Sequence, residues 1–239
     1  MLPFPLVYSP EYYLPLGAHV FPGEKYRLIH DRLLETGVAD ESDFLVPQPS
    51  TDEDVRLVHT PEYVEKLVSG TLSYSEQLLL EIPFSDSVRQ GFWLMAGGSI
   101  LAAQRAMQHG VCFNLGGGFH HAYPDHGEGF CMIHDVAIAI RRAQRDGIIR
   151  RTMVVDCDVH QGNGTAAIFP PGDAAMISLP SVQQHASSNT QPDVFTISLH
   201  QENNYPLVKP KSSIDVNLPD GIEDAEYLGW LEQAMSSGL

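Results

Sequence analysis

Runs rich in β-branched and aromatic residues alternate with stretches of helical apolar spacing along this chain, and that alternation permits few folds. Leu6–Tyr8, Phe44–Val46, Val111–Leu115, Thr152–Val155 and Val194–Leu199 read as strands. Between them, Glu24–Thr36 carries Tyr26, Ile29, Leu33 and Leu34 at helical spacing and meets Gly37 as its stop. Thr60-Pro61 is an N-cap followed by proline at the first helical position, opening a helix through Val68 that Gly70 ends. Ser87–His109, which contains Gly97-Gly98, reads as a longer helix that should pack tightly against the sheet, and His134–Arg145 and Asp224–Leu239 complete the pattern. The expected fold class is α/β: a three-layer α/β/α arrangement with a mostly parallel central sheet covered on both faces. The 239 residues, 43% of them hydrophobic, suffice for a single domain over 1–239. Pro170–Asp193 is polar except for Met176–Leu179 and reads as an insertion loop.

A formal net charge of −16 argues against a phosphate-binding surface, because neutralising phosphates requires an excess of Lys and Arg. Met1–Tyr13 has no basic stretch leading into an apolar run, so it does not read as a signal peptide, and no apolar stretch reaches membrane-spanning length. Cys112, Cys131 and Cys157 sit in apolar surroundings without paired spacing, which predicts buried thiols in a reducing compartment. A soluble cytoplasmic protein is expected.

Two of the strands run directly into polar residues, and in open α/β sheets ligands bind outside the carboxyl ends of the strands. After Val111–Leu115 comes Gly116-Gly117-Gly118-Phe119-His120-His121, where the glycines allow a sharp turn and the histidines project from one loop. A glycine-rich turn carrying solvated histidines would give the same pattern. After Thr152–Val155 comes Asp156-Cys157-Asp158-Val159-His160-Gln161-Gly162-Asn163-Gly164. In extended chain the period of two puts Asp156, Asp158 and His160 on one side, with Cys157 and Val159 on the other. Carboxylate oxygen and imidazole nitrogen are ligand types that a catalytic zinc accepts, with about three protein ligands and one open position.

Taken together, Gly-Gly-Gly-Phe-His-His, Gly129-Phe130-Cys131 and Asp-Cys-Asp-Val-His-Gln-Gly-Asn-Gly resemble the histone deacetylase family in order and spacing. The Gln-Gly-Asn-Gly ending, with His19–Arg27 and His59-Thr60-Pro61-Glu62-Tyr63, looks most like its class IV branch and bacterial relatives. The resemblance implies an arginase/deacetylase fold and zinc-dependent hydrolysis of an acylated lysine or other acylated amine. It implies Asp158 and His160 as zinc ligands, His121 as general base, His120 as electrostatic support and Asp156 as the group orienting His120. It also implies Gly129 and Phe130 in the wall of an acyl tunnel, and a monovalent cation, K⁺, among Asp156, Asp158, His160, Ser198 and Leu199. Asn163 stands where several relatives carry a second carboxylate, which predicts a less basic His121.

The family's third zinc ligand, an aspartate, and its oxyanion-steadying tyrosine would fall past Leu239. The chain therefore reads as C-terminally truncated, and as it stands it is expected to hold zinc weakly and turn over poorly. The leading function is deacylation of protein lysine, acetyl or longer. Acylated polyamines, a non-catalytic homologue and an arginase-type manganese hydrolase are the alternatives, and the tandem histidines after three glycines do not suit the last.

Overall fold

Local chemistry accounts for most element boundaries in the computed structural model, which describes residues 2–171 and 193–238. Thr60 accepts from the Tyr63 N–H and Pro61 opens helix α3 (Pro61–Ser69), which stops where Gly70 takes a left-handed φ of 68°. Ser73 and Glu76 form a reciprocal capping box on α4 (Tyr74–Leu80). Asp54 and Thr51 do the same for α2 (Asp52–Val55). Neither of these short helices was legible as apolar periodicity, because each presents only one or two buried side chains.

The chain divides into two units, Met1–Ile148 and Ile149–Leu239. In the first, strands β1 (Leu6–Val7), β2 (Phe44–Leu45) and β3 (Phe113–Asn114) form a parallel sheet in the order β2-β1-β3. Helix α1 (Lys25–Glu35) links β1 to β2. Helix α5 (Asp86–His109) packs on β1 and β3 and lies against α6 (Asp135–Arg145). From Gly91 to Gly98, α5 is buried all round, so it is the central helix of this unit and not a surface one. The expected packing of this helix on the sheet holds, at β1 and β3, and its glycine pair admits further neighbours. A Cβ at Gly97 would run into the Gln48 carbonyl of a loop, and one at Gly98 into Tyr12 Oη and the Asn114 side chain. Only the last of these belongs to a strand.

In the second unit, β4 (Thr152–Asp156), β5 (Val194–Gln201) and β6 (Ile214–Leu218) form a parallel sheet in the order β4-β5-β6. Ile197, Leu199 and Leu218 bury against Ala234 of α8 (Asp224–Gly238), with Met153, Phe195 and Leu231 around them. Strand β6 and the short helix α7 (Asn163–Ile168) were not read from the sequence. The expected Pro170–Asp193 loop, with its Met176–Leu179 run, lies almost entirely outside the described residues. Among the described residues the paired strands all run parallel, so the α/β class with a mostly parallel sheet holds. Among the described residues no helix is long and apolar enough to cross a membrane. Cys131 is buried as expected, whereas Cys112 is half-buried and Cys157 exposed, and none of the three is in a disulfide.

Candidate active site

Strand β3 ends at Asn114, and the glycine loop turns immediately. Gly117 and Gly118 adopt φ of 91° and 82°, which side-chain-bearing residues rarely take. A Cβ at Gly117 would also collide with Asp135 Oδ2. Phe119 then buries its ring against Phe92 of α5, with centroids 4.4 Å apart, and contributes roughly 1.5–3 kcal/mol of burial that pins the loop. The next two side chains are His120, half-buried, and His121, buried, with ring centroids 4.0 Å apart and planes tilted by 47°. The tandem histidines expected to act together are thus in contact.

Residues without an assigned role hold this loop from both ends. Asp135, fully buried at the first position of α6, accepts from the Phe119 N–H at 2.8 Å, from the Gly118 N–H at 3.0 Å and from the Ser99 hydroxyl. Burial pushes its carboxyl pKa up, while those donors pull the other way. Beyond His121, buried His59 bridges two strands of chain. Its Nε2 accepts from the His134 N–H at 2.9 Å, which leaves Nδ1 as the protonated nitrogen, donating to the Tyr123 carbonyl at 2.9 Å. Burial depresses the His59 pKa to about 4, so it is a neutral structural imidazole. From the sequence Asp135 looked like an ordinary acid in a helix's first turn, and His59 like a residue before a cap. Their long-range partners, Ser99 and the loop for one, Tyr123 and His134 for the other, are what distinguish them.

Gly129 and Phe130 also take positive φ, 54° and 69°. A left-handed phenylalanine is uncommon and persists where surrounding contacts impose it. Here the Phe130 N–H donates to the Leu80 carbonyl at 3.1 Å, beside Glu81, itself at φ 61°. The Phe130 ring meets His19 edge-on at 5.0 Å and Phe21 at 6.3 Å. His19 Nδ1 accepts from the Phe21 N–H, so Nε2 donates to the Glu81 carbonyl at 2.9 Å. His19, Phe21 and Phe130 therefore form one aromatic wall.

In the second unit the strand stops at Asp156, one residue later than read from sequence, and residues 158–160 are bends. The strict alternation expected of Asp156, Asp158 and His160 is therefore not what gathers them. Side chains of one residue instead cap the backbone of the next but one: Asp156 Oδ1 accepts from the Asp158 N–H at 3.0 Å, and Asp158 Oδ1 from the His160 N–H at 2.7 Å. That folds the three together and leaves Asp158 Oδ1 3.1 Å from His160 Nδ1. The Asp158 and His160 side chains remain 50% and 38% exposed, so an ion or a substrate could reach them. Asp156 is in register with Ser198 of β5, and Ser198 Oγ lies 2.9 Å from His200 Nδ1. Leu199 is buried next to it. Gln161, wholly buried, donates to the Pro210 carbonyl at 2.7 Å and to Asp215 Oδ1 at 2.9 Å, tying the acidic turn to β6 and the segment before it. Among the described residues no group of three or more His, Cys, Asp or Glu is placed to hold a metal ion.

A family model for the histone deacetylase domain matches residues 19–239. An uncharacterized protein of Picosynechococcus is 41% identical over 226 residues, covering 94% of this chain and 69% of its own length. The acetoin utilization protein AcuC of Bacillus subtilis is 28% identical over 211 residues, covering 83% of this chain and 49% of its own. A solved histone deacetylase homologue superposes with a TM-score of 0.76 at 24% identity, covering 98% of this chain and 64% of the solved one, which shows the fold. The chain thus spans about half to two-thirds of the length of these relatives. The family match over residues 19–239 and the shared α/β fold agree with the loop and turn geometry, and the chain belongs to the histone deacetylase family, hydrolases of the arginase/deacetylase-like fold.

Proposed function

We propose that this protein hydrolyses the acyl amide of acylated lysine side chains, acetyl or longer, with zinc as cofactor. The observation that carries the reading is the 3.1 Å separation of Asp158 Oδ1 and His160 Nδ1 at the carboxyl end of β4. Two ligand atoms on one tetrahedral zinc, each bonded at about 2.0–2.1 Å, lie about 3.3 Å apart. The donor pair fits that ion in atom type and spacing, and the Asp158 carboxylate is already oriented by the His160 N–H. When bound, the zinc supplies polarisation of the amide carbonyl and activation of water.

His121 is the proposed general base, taking the proton of the attacking water and returning it to the leaving amine. Its ring is buried and in contact with His120, and an imidazole is a group that can both accept and return a proton. His120 supports the charge that develops, and Asp156 orients it. Gly129 and Phe130 are the proposed tunnel wall, consistent with the imposed backbone at both positions. Asp156, Asp158, His160, Ser198 and Leu199 are the proposed surroundings of a K⁺ ion, supported by the register that sets Asp156 beside Ser198.

The test is metal content by mass spectrometry together with hydrolysis of acetyl- and long-chain acyl-lysine peptides, and of an acetylated polyamine. Weakly held zinc in the parent, its loss in Asp158→Ala, and slow, chelator-sensitive release of the acyl group are expected, as a site with two protein ligands would give. Equal zinc in the parent and in Asp158→Ala would remove the ligand assignment. Turnover of the polyamine alone would move the substrate class.

A further inference from the structure

We propose that Asp135 is a positioning residue for the His120–His121 pair, the receiving end of a hydrogen-bond relay running from Tyr12 across α5 to the glycine loop. The inference rests on the reading of those histidines as the catalytic pair. Each link has a defined direction. The Tyr12 hydroxyl donates to Asn114 Oδ1 at 2.8 Å, and the Asn114 amide donates to Ser99 Oγ at 3.1 Å. The Ser99 hydroxyl, which accepts from Asn114, donates to Asp135 Oδ2. From the other side the Gly118 and Phe119 N–H groups donate at 3.0 and 2.8 Å. Backbone N–H groups can only donate, and the Gly118 N–H reaches both Asp135 oxygens, at 3.0 and 3.1 Å, so Asp135 serves the loop as an acceptor at both.

Three features show that this is more than a buried polar group satisfied where it happens to lie. The two amides it binds belong to the residues immediately before His120, so any shift of the carboxylate is passed directly to the histidines. Gly117 has no room for a Cβ because Asp135 Oδ2 occupies the space, so the loop is shaped around the carboxylate. Gly98 is likewise closed by Tyr12 Oη and the Asn114 side chain, so the relay is packed along its length. Unlike a zinc ligand or a proton carrier, Asp135 needs no contact with substrate. It sets where the imidazoles sit, and its buried carboxyl group contributes to the field in which they titrate.

The experiment uses the 239-residue chain, with Asp135→Asn and the milder Ser99→Ala. Amide exchange at Gly118 and Phe119 and the imidazole titrations of His120 and His121 are followed by NMR, with His30, stacked on Tyr8 at 4.3 Å, as the internal reporter of an intact fold. Asp135→Asn should speed exchange at both amides by about tenfold or more and move both histidine midpoints while His30 stays. Ser99→Ala should act in the same direction and less, and it decides the matter if Asp135→Asn does not fold. On an acetyl-lysine peptide, the acid limb of the pH–rate profile should move in step with the histidine midpoints, which a mere loss of folded protein would not cause. Parent-like exchange and midpoints in either folded variant would overturn the proposal. A parent that hydrolyses no acyl-lysine peptide would instead defeat the proposed function, leaving the exchange and titration results to judge Asp135 alone.

Discussion

His59 and His121 are both buried histidines in one unit, and their surroundings give them opposite work. His59 is held by an N–H on one nitrogen and a carbonyl on the other, so protonating it would remove the acceptor that His134 uses. Its folded pKa of about 4 lies below the ordinary 6.5, so the unfolded chain binds the extra proton between those values. Stability from this group is complete above pH 6.5 and is lost as pH falls toward 4, an effect of about 3 kcal/mol. Urea midpoints measured across that window should fall with acid in the parent and fall less in His59→Gln; parallel curves would show that His59 is not the titrating group. His121, by contrast, is the proposed general base, whose work is to exchange a proton. His121→Ala should lower turnover by roughly a hundredfold or more while leaving zinc content near the parent's. Loss of the metal in step with activity would make His121 a ligand instead.

At the scale of elements, the glycines of α5 and the loop after β3 show where packing overrides local preference. Alanine normally favours a helix over glycine by about 1 kcal/mol. Gly97→Ala should nevertheless destabilise the protein, by about 1–3 kcal/mol, because its methyl group would enter the Gln48 carbonyl. A raised melting temperature for that variant would show that the loop at Gln48 gives way freely. Thr60→Ala removes an ordinary N-cap, the Thr60–Tyr63 bond, and should cost only about 1 kcal/mol. The comparison separates elements fixed by their own ends, such as α3, from α5, which is fixed by what surrounds it. Arg142 of α6 belongs to the second kind: it reaches buried Asp54 of α2 at 2.6 Å, a pairing across 88 residues.

Over the whole molecule, the net charge of −16 sets a repulsion that screening should relieve. The melting temperature is expected to rise between about 0.02 and 0.3 M NaCl, and no retardation of duplex DNA is expected at physiological salt. A melting temperature falling with salt would mean that specific ion pairs outweigh the overall repulsion. By itself the sequence determined the α/β class, the mostly parallel sheet, the capped helix α3, the longer helices and the two clusters that follow β3 and β4. Those signals are local: periodicity, caps, and polar residues at the end of apolar runs. Tertiary structure alone decided that His59 is structural, that Asp135 holds the glycine loop, that Asp158 and His160 meet through a turn and not by strand alternation, and that His19 joins Phe130. Each of those facts depends on a partner tens of residues away or on a departure from regular backbone, and neither leaves a periodic trace in the order of the amino acids.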